Sequence, residues 1–193
     1  MPHRKSSMFV VLIAVSACLL LAFALLGATP KRRTASARGP ALAKRGEYLV
    51  TVTGCNDCHT PGTFYGAPDF HRMLSGSEVG WIGPWGVVYA RNLTPDAETG
   101  LGKWRASEIV STIRTGLTPD GRHLAPIMPW MDFAKLTDAD ANAIAAYLKS
   151  IPAVSHKVPD AVPPDQAAGV PGVTFPPPPA WDAPPGGGPA GGK

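Results

Sequence analysis

Two thiols three positions apart, followed at once by an imidazole, make Cys55-Asn56-Asp57-Cys58-His59 the densest chemical group in this sequence. On a helical turn both thiols emerge on one side, where they can add across the two vinyl groups of a porphyrin. The adjacent imidazole then turns back to ligate iron, so the C-x-x-C-H spacing is that of c-type haem attachment. The rival chemistries fit less well. A thioredoxin-like pair follows a strand in a βαβ setting, and structural zinc needs four clustered ligands, whereas the one remaining cysteine, Cys18, sits in an apolar run. A disulfide between the pair leaves the following His unexplained. One covalently bound haem c is expected, with Cys55, Cys58 and His59 as its binding residues and His59 on the metal.

A sixth iron ligand must come from elsewhere in the chain. A thioether there favours ferrous iron and raises the potential. Met128, in Ala125-Pro126-Ile127-Met128-Pro129-Trp130, is the choice, because flanking prolines stiffen its loop. Met131 and Met73 compete as thioethers, and His71 and His123 as imidazoles, although a Met is often a flexible core filler and a loop His is often simply solvated.

The elements that must position these groups are short helices. Ala41 to Thr53 places Leu42, Gly46, Leu49 and Thr53 on one stripe, with the glycine where another backbone can approach. Ala106 to Thr115 carries Ile109, Val110 and Ile113, with Gly116 as a left-handed stop. A third helix follows Thr137 as N-cap, with Asp138 and Asp140 in its first turn, Ile144, Tyr147, Leu148 and Ile151 on one face, and Pro152 after it. No alternating β-pattern of useful length stands out. The expectation is a small all-α fold with long loops, domain boundaries at 40 and 152, and a prosthetic group completing a core too small to stand alone.

Both ends differ from this core. Residues 8–28 are apolar for 21 positions with Ser16 the only ordinary polar side chain, long enough for a membrane-spanning helix within an anchor and linker over residues 1–39. Ala22-Phe23-Ala24 offers a cleavage-site alternative that would release a periplasmic protein, and Val15-Ser16-Ala17-Cys18 a lipoprotein alternative. The basic flanks, with Lys31, Arg32, Arg33 and Arg38 after the segment against Arg4 and Lys5 before it, would by charge counting place the N-terminus outside. Haem attachment outside the cytoplasm overrides that count and puts the core in the periplasm of an inner-membrane protein.

From residue 152 onward, 12 Pro and 7 Gly fill 19 of 42 positions, so residues 153–193 are expected to stay unfolded, with Phe175 to Trp181 as a spacer or polyproline II rod. The chain's formal charge of +4 sits beside the apolar segment. The core from Pro40 to Pro152 has ten Lys or Arg against eleven Asp or Glu, which excludes a nucleic-acid surface.

From Gly46 to Pro152 the sequence resembles monohaem class I cytochrome c domains, similar to those in the cytochrome subunits of bacterial membrane-bound alcohol and gluconate dehydrogenases. The likeness rests on Cys55-Asn56-Asp57-Cys58-His59, Asn92-Leu93-Thr94-Pro95-Asp96, Thr99-Gly100-Leu101-Gly102 with Trp104, Met128-Pro129-Trp130 and Ala145-Ala146-Tyr147-Leu148. It implies that the first and third helices cross with Gly46 near Tyr147, that His59 and Met128 ligate iron, and that Trp104 and the Asn92 loop belong to the haem pocket. Arg91 and Arg122 are candidate propionate partners on charge alone. Subunits of that kind carry three haem domains in a row, whereas this chain has a single C-x-x-C-H.

Three functions follow in order. The first is an electron carrier, not itself an enzyme, between a periplasmic or membrane dehydrogenase and an oxidase or soluble cytochrome. The second is a haem enzyme or gas sensor with a displaceable sixth ligand. The third is a haem-free thiol module.

Overall fold

A computed structural model describes residues 35–176. The apolar segment 8–28, with its possible cleavage and lipidation sites, lies outside them, as does the chain beyond Pro176. Among the described residues no helix is long and apolar enough to cross a membrane.

Helix α1 (Ala35–Val52) starts six residues before the expected Ala41. Pro40 lies inside it, near enough to the N-terminal end to forfeit a single backbone bond. Leu49 and Val50 are its buried anchors, and Leu42, expected on the inner stripe, is largely exposed. Gly54, at φ 72°, turns the chain into the one-turn helix α2 (Cys55–His59). Helix α3 (Ala106–Thr115) buries Ile109 and Thr112 and stops at left-handed Gly116. Pro129 precedes the short helix α4 (Trp130–Phe133). Helix α5 (Asp138–Leu148) is capped as expected, the Thr137 hydroxyl accepting from the Asp140 N–H at 3.1 Å. Its buried face is Ala141, Ala143, Ile144, Ala145 and Leu148.

Small residues on both helices let α1 and α5 cross in contact. A Cβ added to Gly46 would overlap the Ala143 carbonyl and lie 2.7 Å from Cβ of Tyr147. Outside this contact the Arg45 guanidinium donates to Asp140 at 3.0 Å. Leu49, Val50, Leu74, Leu101, Ile109, Ile144 and Leu148 form one core between α1, α3, α5 and the loops.

The structure departs from the all-α expectation in one small sheet. Strands β1 (Gly80–Gly83) and β2 (Gly86–Tyr89) form an antiparallel hairpin, and β3 (Gly172–Thr174) pairs parallel to β1, giving the order β2-β1-β3. Strands of three or four residues between glycines are too short to show a period of two. Nor do the described residues after Pro152 stay unfolded. Residues 153–175 fold back over the loops: Val158 is buried, Val162 bridges Val87, and Phe175 stacks on Trp81 at 6.1 Å while its N–H donates to Ile82 O. Proline-rich extended chain has carbonyls without partners of its own, and neighbouring loops use them.

Candidate functional site

The end of α1 and the turn at Gly54 deliver the two thiols. The Thr53 hydroxyl bonds back to Leu49 O at 2.8 Å and lies 3.4 Å from Sγ of Cys55. Both thiols are free and half-buried. Burial pushes the Cys55 thiol up, opposed by the Thr53 contact, and burial together with the Asp57 carboxylate does the same at Cys58.

His59 is buried, and its Nδ1 lies 2.7 Å from the Arg91 carbonyl. A carbonyl only accepts, so Nδ1 carries the proton and Nε2 keeps the lone pair that a metal needs. Burial holds the imidazole below its usual pKa, the bond to Arg91 working in the opposite direction. A hydrogen bond behind a ligating His also fixes its orientation and raises its basicity. Charge alone suggests the Arg91 side chain as a propionate partner; the structure instead commits its guanidinium to Pro159 O at 2.9 Å, with Asp160 at 3.8 Å, and brings its main-chain carbonyl to the imidazole.

Trp104 is half-buried against the core, as are Leu93, Val110, Ile113 and Leu136. Its backbone is held by a residue that sequence reasoning missed. Lys149, just past α5, donates to the carbonyls of Leu101, Gly102 and Trp104 at 3.1, 2.9 and 3.0 Å. In sequence it reads as a solvated lysine complementing a helix C-terminus. Lys149→Met keeps the stem but strands three carbonyls, and a loss of about 2 kcal/mol is expected, read as a lower melting temperature.

Asn92 is buried and bonds across its loop: Nδ2 donates to Thr99 Oγ1 at 3.0 Å and to Val154 O at 2.8 Å, and Oδ1 accepts from the Thr94 N–H and hydroxyl. Met128 is half-buried in a turn closed by its own N–H on Ala125 O (2.9 Å) and by Trp130 N–H on Met128 O (2.7 Å). Its competitors are more open: Met131 is 58% exposed and Met73 37%, and His71 and His123 are exposed, as is Arg122, the other candidate propionate partner.

These residues fit a c-type haem. The thiols are reduced and one turn apart, and the imidazole presents Nε2. Among the described residues no group of three or more His, Cys, Asp or Glu could hold a metal ion. Leu93, Trp104, Val110, Ile113 and Leu136 form an apolar fringe that the core covers only in part.

Fold and site thus define a small domain of several helices and loops that presents a C-x-x-C-H turn. A family model for cytochrome c matches residues 43–152, and the chain belongs to that family, whose members bind haem c covalently. It is 36% identical over 124 residues to the cytochrome c subunit of alcohol dehydrogenase (quinone) of Gluconobacter oxydans, covering 62% of this chain and 24% of the relative. It is 33% identical over 136 residues to the fructose dehydrogenase cytochrome subunit of Gluconobacter japonicus, covering 70% and 26%. With the gluconate 2-dehydrogenase cytochrome c subunit of Pantoea cypripedii it shares 35% over 107 residues, 55% of this chain and 22% of that one. The match thus spans about a quarter of each of these relatives.

Proposed function

We propose that the chain is a membrane-tethered monohaem electron carrier, taking single electrons from a periplasmic or membrane dehydrogenase and passing them to an oxidase or soluble cytochrome. The bound haem supplies one-electron cycling of iron between ferric and ferrous states. Cys55 and Cys58 anchor it through thioethers, His59 donates from Nε2, and Met128 takes the sixth position. The observation carrying this reading is the C-x-x-C-H turn whose His59 is buried and oriented by Arg91 O. Met128 is supported by its fixed turn and partial burial against the exposure of its rivals. A dehydrogenase donor is supported by relatives named as dehydrogenase cytochrome subunits. The apolar segment 8–28 supports the tether, which confines the domain near partners in the same membrane.

Protein made in a host with haem-maturation machinery should carry one covalent haem by mass and resist carbon monoxide at neutral pH. Met128→Ala should lower the reduction potential and let carbon monoxide bind at once. An unchanged potential removes Met128 as ligand. Rapid carbon monoxide binding by the native protein would favour a gas sensor or haem enzyme, and a chain weighing only its amino acids would end the haem reading.

A further inference from the structure

Beyond α5 the chain crosses back over the loops on either side of His59. Two backbone groups hold that residue: Arg91 O accepts from Nδ1 at 2.7 Å, and the Gly76 N–H donates to His59 O at 2.8 Å. Residues 153–160 touch both loops. Over the Arg91 side, Pro159 O accepts from the Arg91 guanidinium at 2.9 Å, and Val154 O accepts from Asn92, the next residue, at 2.8 Å. Over the Gly76 side, the His156 ring reaches Ser75 O at 2.9 Å with Nδ1 and Glu78 Oε1 at 2.8 Å with Nε2. Val158 is buried there, so close that a Cβ on Gly76 would lie 2.5 Å from its Cγ1.

We infer that residues 153–160 are a positioning strap for His59: they clamp the Arg91 and Gly76 loops so that the Nδ1–H···O=C bond stays short, and so set the donor strength of Nε2. This rests on His59 being an iron ligand. The chemistry gives the sign. A strong bond at Nδ1 makes the imidazole a better donor, which favours ferric iron. Loosening the strap weakens that bond and shifts the couple toward ferrous.

The test uses the full-length, haem-loaded protein. His156→Leu removes the ring's contacts with Ser75 and Glu78 at similar bulk. It should move the ferric-to-ferrous ratio at fixed ambient potential about tenfold toward ferrous, which is about 59 mV upward for one electron. The His59 Nδ1 proton, followed by NMR, should exchange with solvent several-fold faster, and His156→Gln, which keeps an N–H donor, should recover part of both effects. Phe175→Ala, at the sheet, should leave both unchanged. If His156→Leu fails to fold, Arg91→Ala, whose side chain is nearly half exposed, cuts the Pro159 tie while keeping the carbonyl, and the exchange rate is read there. A lower melting temperature with unaltered potential and proton exchange would make the strap merely structural and overturn the inference. Wild-type spectra without an imidazole on the iron would instead overturn the proposed function, leaving the strap contacts as they stand.

Discussion

Gly46→Val is expected to destabilise the domain by about 3 kcal/mol or more, a fall of more than about ten degrees in melting temperature for a domain of this size. The magnitude follows from what the new side chain meets. At Gly46 a first carbon already overlaps the Ala143 carbonyl and stands 2.7 Å from Cβ of Tyr147, and neither is the movable end of a long side chain. Relief requires α1 and α5 to separate. That opens the packing of Leu49 and Val50 on Ile144 and Leu148, and β-branching adds a smaller cost to the helix itself. Gly39→Ala is the matched control on the same helix. Nothing lies within 4 Å of its added carbon, so that change should be neutral or raise stability by up to about 1 kcal/mol. Equal melting temperatures for Gly46→Val and wild type would mean that the two helices do not meet there.

Gly46 also shows what could be read before any coordinates. A glycine on an otherwise apolar stripe marks close backbone approach, and Thr137 with two following aspartates marks a helix start. Both signals are local, and both show in the structure, Gly46 at the α1–α5 contact and Thr137 at the start of α5, although α1 begins six residues before the expected Ala41. The C-x-x-C-H turn is local too, since its chemistry needs only five residues. What escaped is what depends on partners distant in sequence. β3 pairs with β1 across some ninety residues, Gly80 facing Gly172, and a three-residue strand in a glycine-rich stretch carries no pattern by itself. Lys149 could not be told from a solvated lysine, because its partners are main-chain carbonyls of the Trp104 loop. The strap lies in a stretch, from residue 152 onward, that as a whole reads as unfolded from its prolines and glycines. Composition counts the entropy that such a segment must lose; it does not count buried donors elsewhere, such as Asn92 Nδ2, that need a carbonyl the segment supplies.

Partly covered apolar groups also lie against the core, and there the other large effect is expected. Cys55→Ala with Cys58→Ala, purified without added haem, should lose cooperative unfolding and much of its helical circular dichroism as well as its colour. Leu93, Trp104, Val110, Ile113 and Leu136 rest against the core with part of their surface uncovered. Completing the burial of a half-exposed aliphatic side chain is worth roughly 1 kcal/mol, half the roughly 1.5–3 kcal/mol of full burial. Several such residues around one macrocycle therefore bear on a total comparable with the roughly 5–15 kcal/mol by which whole domains are stable. Removing the thiols takes away the covalent hold on that cover while leaving α1, α3 and α5 to rely on a core of nine buried residues, two of them alanines. His59 then stays buried with Nε2 unligated, and the fringe faces water. Single Cys55→Ala and Cys58→Ala variants, each keeping one possible thioether, should fall between the extremes in both colour and melting temperature. A double variant that melts cooperatively with wild-type helicity would mean that the polypeptide closes its own core and that haem contributes function without contributing fold.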